Sequence, residues 1–107
     1  MTINYNTRIL TQAHLLIKGD VIGVGFRAWT KIQAKIHRVN GWARNVFDRP
    51  DVFGPGGGVE VVVQADENRV GEMIELLKKG PPVARVDDVE IAFQDPKEIM
   101  EGFVIIK

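Results

Sequence analysis

The chain has 107 residues, 45% of them apolar, which is the size of one domain with a real core. It has neither cysteine nor serine, which excludes disulfides, thiolate or serine nucleophiles, and Cys-ligated zinc or iron–sulfur sites. Its 14 basic and 14 acidic residues balance to a formal charge of zero, so the whole molecule is not a polycation built for sequence-independent nucleic-acid binding.

Residues 1–12 are polar and lack the apolar stretch of a signal peptide, so they read as an N-terminal arm. Residues 13–18 (Ala-His-Leu-Leu-Ile-Lys) are apolar, end at Gly19 and predict a buried strand. Asp20 to Gly25 forms a turn with two glycines. From Phe26 to Val39 the period changes. Trp29, Ile32, Ile36 and Val39 recur at spacings of 3, 4 and 3, which predicts one buried helical face, with Lys31, Lys35 and Arg38 solvated. Asn40-Gly41 is the expected stop, through a left-handed residue.

Residues 42–47 read as a strand. Residues 48–58 cannot continue it, because Pro50, Pro55 and the glycines break strands, so 49–58 is an extended hairpin loop. Residues 59–64 predict a strand paired with 42–47. Asp66 is the expected N-cap of a second helix, with Val70, Met73, Ile74 and Leu77 as its stripe and Lys78 and Lys79 in its last turn. Gly80-Pro81-Pro82 ends it. Val86 to Phe93 alternates Val89, Ile91 and Phe93 against Asp88 and Glu90. Phe103 to Ile106 is a short edge strand. The order βαββαβ plus that short strand predicts an α+β, ferredoxin-like split βαβ sandwich: an antiparallel sheet with two helices on one face.

The segment Gly19–Arg27 carries the most chemical information. A strand runs into a glycine turn and then into a helix N-terminus. Glycines permit positive φ, successive N–H groups form an anion nest, and the helix end adds free N–H groups and a positive dipole. Arg27 in the first helical turn opposes that dipole, a cost a bound anion offsets, and its fork matches phosphate oxygens. The loop and Arg27 therefore read as a phosphate or carboxylate cradle, or else as a tight turn beside a solvated arginine. Gly23-x-Gly25-x-x-Ala28 formally fits the dinucleotide fingerprint, with Asp48 twenty residues on. That site needs a parallel doubly wound sheet, which the element order does not supply. A Walker loop needs Gly-Lys-Ser/Thr, which is absent.

Three runs carry a family resemblance. Gly19-Asp20-Val21-Ile22-Gly23-Val24-Gly25-Phe26-Arg27 resembles the acylphosphatase signature G-x-V-Q-G-V-G-F-R. Gly41-Trp42-Ala43-Arg44-Asn45 resembles that family's G-W-V-R-N, and Gly80 to Val86 resembles its G-P-P-x-A-x-V. All three occur in family order. The resemblance implies metal-free hydrolysis of the carboxyl–phosphate bond of acyl phosphates, with no cofactor. It assigns the phosphate to the backbone N–H groups of Ile22, Gly23, Val24, Gly25, Phe26 and Arg27 and to the Arg27 guanidinium, and the attacking water to Asn45. It departs from the family at Ile22, where Gln is usual, at Ala43 for Val, and at Ala65 for Gly.

The remaining expectations are these. The substrate is a small acyl phosphate, inorganic phosphate is a product and inhibitor, and no nucleic acid or membrane is a partner. The protein acts as a monomer in the cytoplasm. His14 and His37 are structural, Trp29 is core, and Asp87, Asp88 and Glu90 are solvated charge rather than a metal site. The alternative function is a non-catalytic anion- or RNA-binding module on the same fold. RNA binders on this plan carry aromatics on their central strands, and residues 13–18 and 59–64 have none. Charge is uneven along the chain: residues 1–50 hold eight basic and two acidic residues, and this positive half contains both Arg27 and Asn45.

Overall fold

The computed structural model describes residues 9–107. Along the chain it runs β1 (Leu10–Asp20), α1 (Phe26–His37), β2 (Asn40–Val46), α2 (Pro50–Phe53), β3 (Gly58–Asp66), α3 (Glu67–Lys79), β4 (Arg85–Gln94) and β5 (Phe103–Ile106). The strands form a single sheet in the order β4-β1-β3-β2-β5. β1 pairs antiparallel with β3 and β4, and β3 antiparallel with β2. α1 thus carries the chain past β3 to β2, and α3 carries it past β1 to β4, which is the expected split βαβ plan. The edge differs from a purely antiparallel sheet, because β5 lies parallel to β2 with Gly41 opposite Phe103 and Arg44 opposite Ile106. Of the expected arm 1–12, Leu10–Gln12 belong to β1, and residues 1–8 lie outside the described residues. Among the described residues no helix is long and apolar enough to cross a membrane.

Strand alternation puts one row of each strand under the helices. β1 contributes Ala13, Leu15 and Ile17, and β3 contributes Val59, Val61 and Val63, all fully buried. α3 covers them with Val70, Met73, Ile74 and Leu77, the predicted stripe. Burying side chains of this size contributes about 1.5–3 kcal/mol each. The Asp66 carboxylate accepts the Arg69 N–H at 3.0 Å, so the predicted cap forms, and α3 ends at Lys79 before Gly80.

α1 is rotated from its expected setting. Its buried residues are Phe26, Thr30 and Ala34, whereas Ile32 and Ile36 are 57% and 65% exposed. Trp29 is half-buried, its ring 5.6 Å from that of Phe26, so it flanks the core rather than filling it. The Phe26 side chain is buried immediately after the glycine turn and reaches the backbone at Gly80, which fixes the rotation of everything that follows. Thr30 and Ala34 then let the helix approach the sheet closely, and the Thr30 hydroxyl donates to the Phe26 carbonyl at 2.8 Å. The helix stops two residues earlier than Asn40: Arg38 is the left-handed residue (φ 54°), and its N–H meets the Lys35 carbonyl. Gly41 serves a different purpose. A Cβ there would stand 1.9 Å from the Val62 carbonyl oxygen, so the glycine lets β2 close against β3.

Four features of the sheet were not foreseen. The 49–58 loop contains the one-turn helix α2, and the Phe53 ring fills the space that a Cβ on Gly58 would need. The β1–β4 register shifts between Lys18 and Gly19, leaving Asp87 unopposed, so Val86 and Val89 both turn toward the core. Phe93, expected inside by alternation, is exposed at the end of this edge strand. Finally, the buried Gln64 amide pins the segment 95–102 across the end of the sheet. It donates to the Glu98 carbonyl (2.8 Å) and to Gln12 Oε1 (2.9 Å), and its oxygen accepts the Met100 N–H (2.8 Å). Asn40 Oδ1 accepts the Gly102 N–H at 3.0 Å, and the Gly41 N–H donates to the Gly102 carbonyl at 2.9 Å. These bonds deliver β5 to the side of β2.

Candidate active site

The turn between β1 and α1 is shaped by two glycines, Gly23 (φ 76°) and Gly25 (φ 75°), both in the left-handed region. L side chains cost about 1–2 kcal/mol there, which accounts for glycine at both positions. Gly25 is the N-cap of α1. It supplies no side-chain cap, and its carbonyl accepts the Trp29 N–H at 2.9 Å. The first turn of α1 contains no acidic residue. The N–H groups at this end have no acceptor inside the helix, and none in the loop is seen among the described residues. The positive end of the helix dipole is therefore left for an outside anion.

A cavity of about 260 Å³ opens at this point. It is lined by Gly23, Gly25, Phe26 and Arg27 from the loop and helix, and by Asn45 from β2. Of the predicted site residues, Ile22 and Val24 do not line it; their side chains pack against the core and anchor the loop. Asn45 comes to the site through sheet geometry. It stands opposite Val59, and so shares the helix-covered face of the sheet with Ile17 and Val59. It is the last residue of that face on β2, level with the N-terminus of α1. Asn45 is half-buried, and so is Arg27.

The lining also includes Val21 and Ala28, which flank the expected cradle, and Ile105 and Lys107, to which the sequence reading assigned no site role. β5 was legible as a strand, but its partner was not, so Ile105 and Lys107 had no visible route to the loop. No Asp or Glu side chain lines the cavity. Among the described residues neither Arg27 nor Lys107 forms an ion pair, whereas Arg44, Arg49, Arg69 and Arg85 are each matched by an Asp or Glu. The concavity is thus positive, polar along one wall, and able to hold a small anion beside a neutral amide.

The other candidates lie elsewhere. His14 bonds to Glu60 and His37 to Glu72, both away from the cavity. Asp88 and Glu90 face Lys18, while Asp87 pairs with Arg85. Among the described residues no group of three or more His, Asp or Glu is arranged to hold a metal ion. Glu60 is a partly buried carboxyl whose titration is shifted by folding. Burial pushes its carboxyl up, but hydrogen bonds from His14 and Arg44 outweigh this and hold it below its ordinary value.

A mostly antiparallel sheet with two covering helices, and a cavity lined by Arg27 and Asn45 where the first of them begins, defines a small α+β sandwich domain of the ferredoxin-like plan. Comparison with known proteins narrows this. The acylphosphatase family model matches residues 13–105. The chain is 41% identical over 95 residues to an acylphosphatase of Thermococcus kodakarensis, covering 89% of this chain and 94% of that one. It is 39% identical over 94 residues to an acylphosphatase of Caldivirga maquilingensis, covering 88% and 92%. The crystal structure of acylphosphatase from Bacillus subtilis superposes with a TM-score of 0.80 at 28% identity, covering 92% of this chain and all of that one. The chain belongs to the acylphosphatase family, and it is a hydrolase of that family.

Proposed function

We propose that this protein hydrolyses acyl phosphates to a carboxylate and inorganic phosphate without a metal ion, using Arg27, the 22–27 backbone and Asn45. The observation that carries the reading is that Arg27 and Asn45 line one cavity that no Asp or Glu side chain lines. The dianionic phosphoryl group binds the N–H groups at the start of α1 and the Arg27 fork, which stabilise the charge on its equatorial oxygens. The Asn45 amide holds a water. That water attacks phosphorus, the bond from phosphorus to the acyl oxygen breaks, and the carboxylate leaves with the bond's electron pair. The proton of the water goes to a phosphate oxygen, because a neutral amide orients water but does not take its proton. A carboxylate is a good leaving group, so positioning and charge stabilisation are what the protein must supply.

The whole site comes from one chain, which fits action as a monomer on a small substrate, with inorganic phosphate as a competitive inhibitor. Ile22 replaces a family glutamine, yet it keeps its backbone N–H and its side chain packs inward, so the cradle is compatible with the change. The central strands β1 and β3 present no Phe, Tyr or Trp, and their one imidazole, His14, is engaged by Glu60, which counts against the RNA-binding alternative. The test is hydrolysis of benzoyl phosphate by the purified protein in the presence of a chelator. Turnover that is inhibited by phosphate and untouched by the chelator is expected; a rate no higher than the spontaneous one would sink the proposal.

A further inference from the structure

We infer that Lys107 is a second cationic residue of the substrate pocket, drawing anionic oxygens of the substrate in beside Asn45. The inference deepens the proposed function and rests on it.

The argument begins with strand register. β2 and β5 run parallel, with Ala43 opposite Ile105 and Arg44 opposite Ile106. Asn45 follows Arg44 and Lys107 follows Ile106, so the two come directly after the last pair of this ladder and continue its register by one step. Alternation puts both on the face already occupied by Ala43 and Ile105, beneath the N-terminus of α1. Adjacent strands lie about 4.8 Å apart, so the two side chains rise from neighbouring positions. Consistent with this, Lys107 lines the same cavity as Arg27 and Asn45.

Charge gives the placement its meaning. The Lys107 side chain forms no ion pair among the described residues, and no Asp or Glu side chain lines the cavity to neutralise it. Together with Arg27 and the dipole of α1 it makes three positive features around one opening. An ammonium on a flexible stem acts as a point charge rather than a fork. It therefore attracts either phosphoryl oxygens or a second carboxylate on the acyl group, and favours binding more than the geometry of bond breaking. A lysine ending an edge strand also discourages edge-to-edge pairing of chains, and that role alone predicts no effect on substrate.

The experiment compares wild type with Lys107→Met, Lys107→Gln and Lys107→Arg. KM and kcat are measured with benzoyl phosphate and with an acyl phosphate that carries a second carboxylate. The Kd of inorganic phosphate is measured by calorimetry, and folding is checked by thermal melting. At low ionic strength the Met and Gln variants are expected to raise KM and the phosphate Kd together by about threefold to tenfold, with kcat within about twofold. Lys107→Arg should restore both. In about 1 M salt, where the Debye length falls to about 3 Å, the variants should converge on wild type. A KM increase confined to the dicarboxylic substrate also supports the inference and assigns Lys107 to the acyl side. Unchanged KM for both substrates together with unchanged phosphate Kd would overturn it. Phosphate binding is read without turnover, so a wild type that binds phosphate but hydrolyses nothing removes the hydrolase reading and still leaves Lys107 to be judged.

Discussion

Arg27 and Asn45 line one cavity of about 260 Å³, although one belongs to the first turn of α1 and the other to the last position of β2 on the helix-covered face. The relationship depends on crossover topology. β2 is separated from β1 by β3, and α1 spans that gap, so the start of α1 and the end of β2 come to the same end of the sheet. A cation on the helix end and a neutral amide on the strand then divide anion binding from water placement.

Arg27 illustrates a conflict between stability and function. A cation in the first turn of a helix opposes the dipole, and no acidic residue in that turn offsets it. Arg27→Ala is expected to reduce kcat/KM for benzoyl phosphate by about 10²–10³-fold and to abolish inhibition by inorganic phosphate. The same variant should be as stable as wild type or more stable, by about 0.3–1 kcal/mol, in urea unfolding. Arg27→Lys should recover little activity, because an ammonium cannot reproduce the two-pronged contact. Retention of phosphate inhibition in Arg27→Ala would show that the anion binds elsewhere.

Asn45 should separate from Arg27 in the kinetics. Asn45→Ala is expected to lower kcat by about 10²-fold, the penalty for a misplaced reactant, while the phosphate Kd stays within a few-fold of wild type. Asn45→Asp keeps the shape but puts a negative side chain in a cavity lined by no Asp or Glu, so both kcat and phosphate binding should fall. Steady-state kinetics with calorimetry of phosphate binding distinguishes the two. Equal losses of binding in both variants would make Asn45 a binding group rather than a water holder.

The glycines fall into two physical classes with different expected outcomes. Gly25 has φ 75° and open space around a Cβ, so Gly25→Ala meets only backbone strain, about 1–2 kcal/mol. The variant should fold, melt at a lower temperature and bind phosphate more weakly as the loop relaxes. Gly41 has φ 144°, and a Cβ would stand 1.9 Å from the Val62 carbonyl oxygen. Gly41→Ala should therefore break the β2–β3 pairing and yield little folded protein. Far-UV circular dichroism and melting curves decide, and a well-folded Gly41→Ala would contradict the packing described.

How far the sequence revealed these relations depended on the kind of interaction. Periodicity located α3 and its stripe because that helix buries large apolar residues at regular spacing. It misplaced the face of α1, where contact with the sheet is made by Phe26, Thr30 and Ala34, two of them small, while Ile32 and Ile36 remain in solvent. Counting large apolar residues cannot detect a close approach that uses small ones. The loop, Arg27 and Asn45 were legible because local motifs carry them. Lys107 was not, because its position depends on the parallel pairing of β5 with β2. That pairing is set in turn by the Gln64 and Asn40 hydrogen bonds across 95–102, which leave no periodic trace. The rotation of α1 is itself testable: Ile36→Lys should change stability by no more than about 0.5 kcal/mol, whereas Ala34→Leu should destabilise by about 1–3 kcal/mol in urea unfolding.

Acid should weaken the sheet through Glu60. Its side chain is 14% exposed and sits between His14 and Arg44 on the face of the sheet opposite the helices. Burial raises its pKa, but the hydrogen bonds from His14 and Arg44 outweigh that, so the folded carboxyl titrates below its unfolded value. A carboxyl lowered by folding contributes stability above its unfolded pKa and loses it as pH falls through the folded one. The window therefore begins near the ordinary carboxyl range, about pH 4 to 4.5, and extends below it. Arg44 is about half exposed, so solvent screening keeps the pair modest. Glu60→Gln is expected to destabilise by about 1 kcal/mol near pH 7, with the gap to wild type closing as both are unfolded in progressively more acidic urea. Activity at pH 7 should be unchanged, because Glu60 does not line the cavity that holds Arg27 and Asn45. A gap that persists below the folded pKa would show that Glu60 acts through packing and not through its charge.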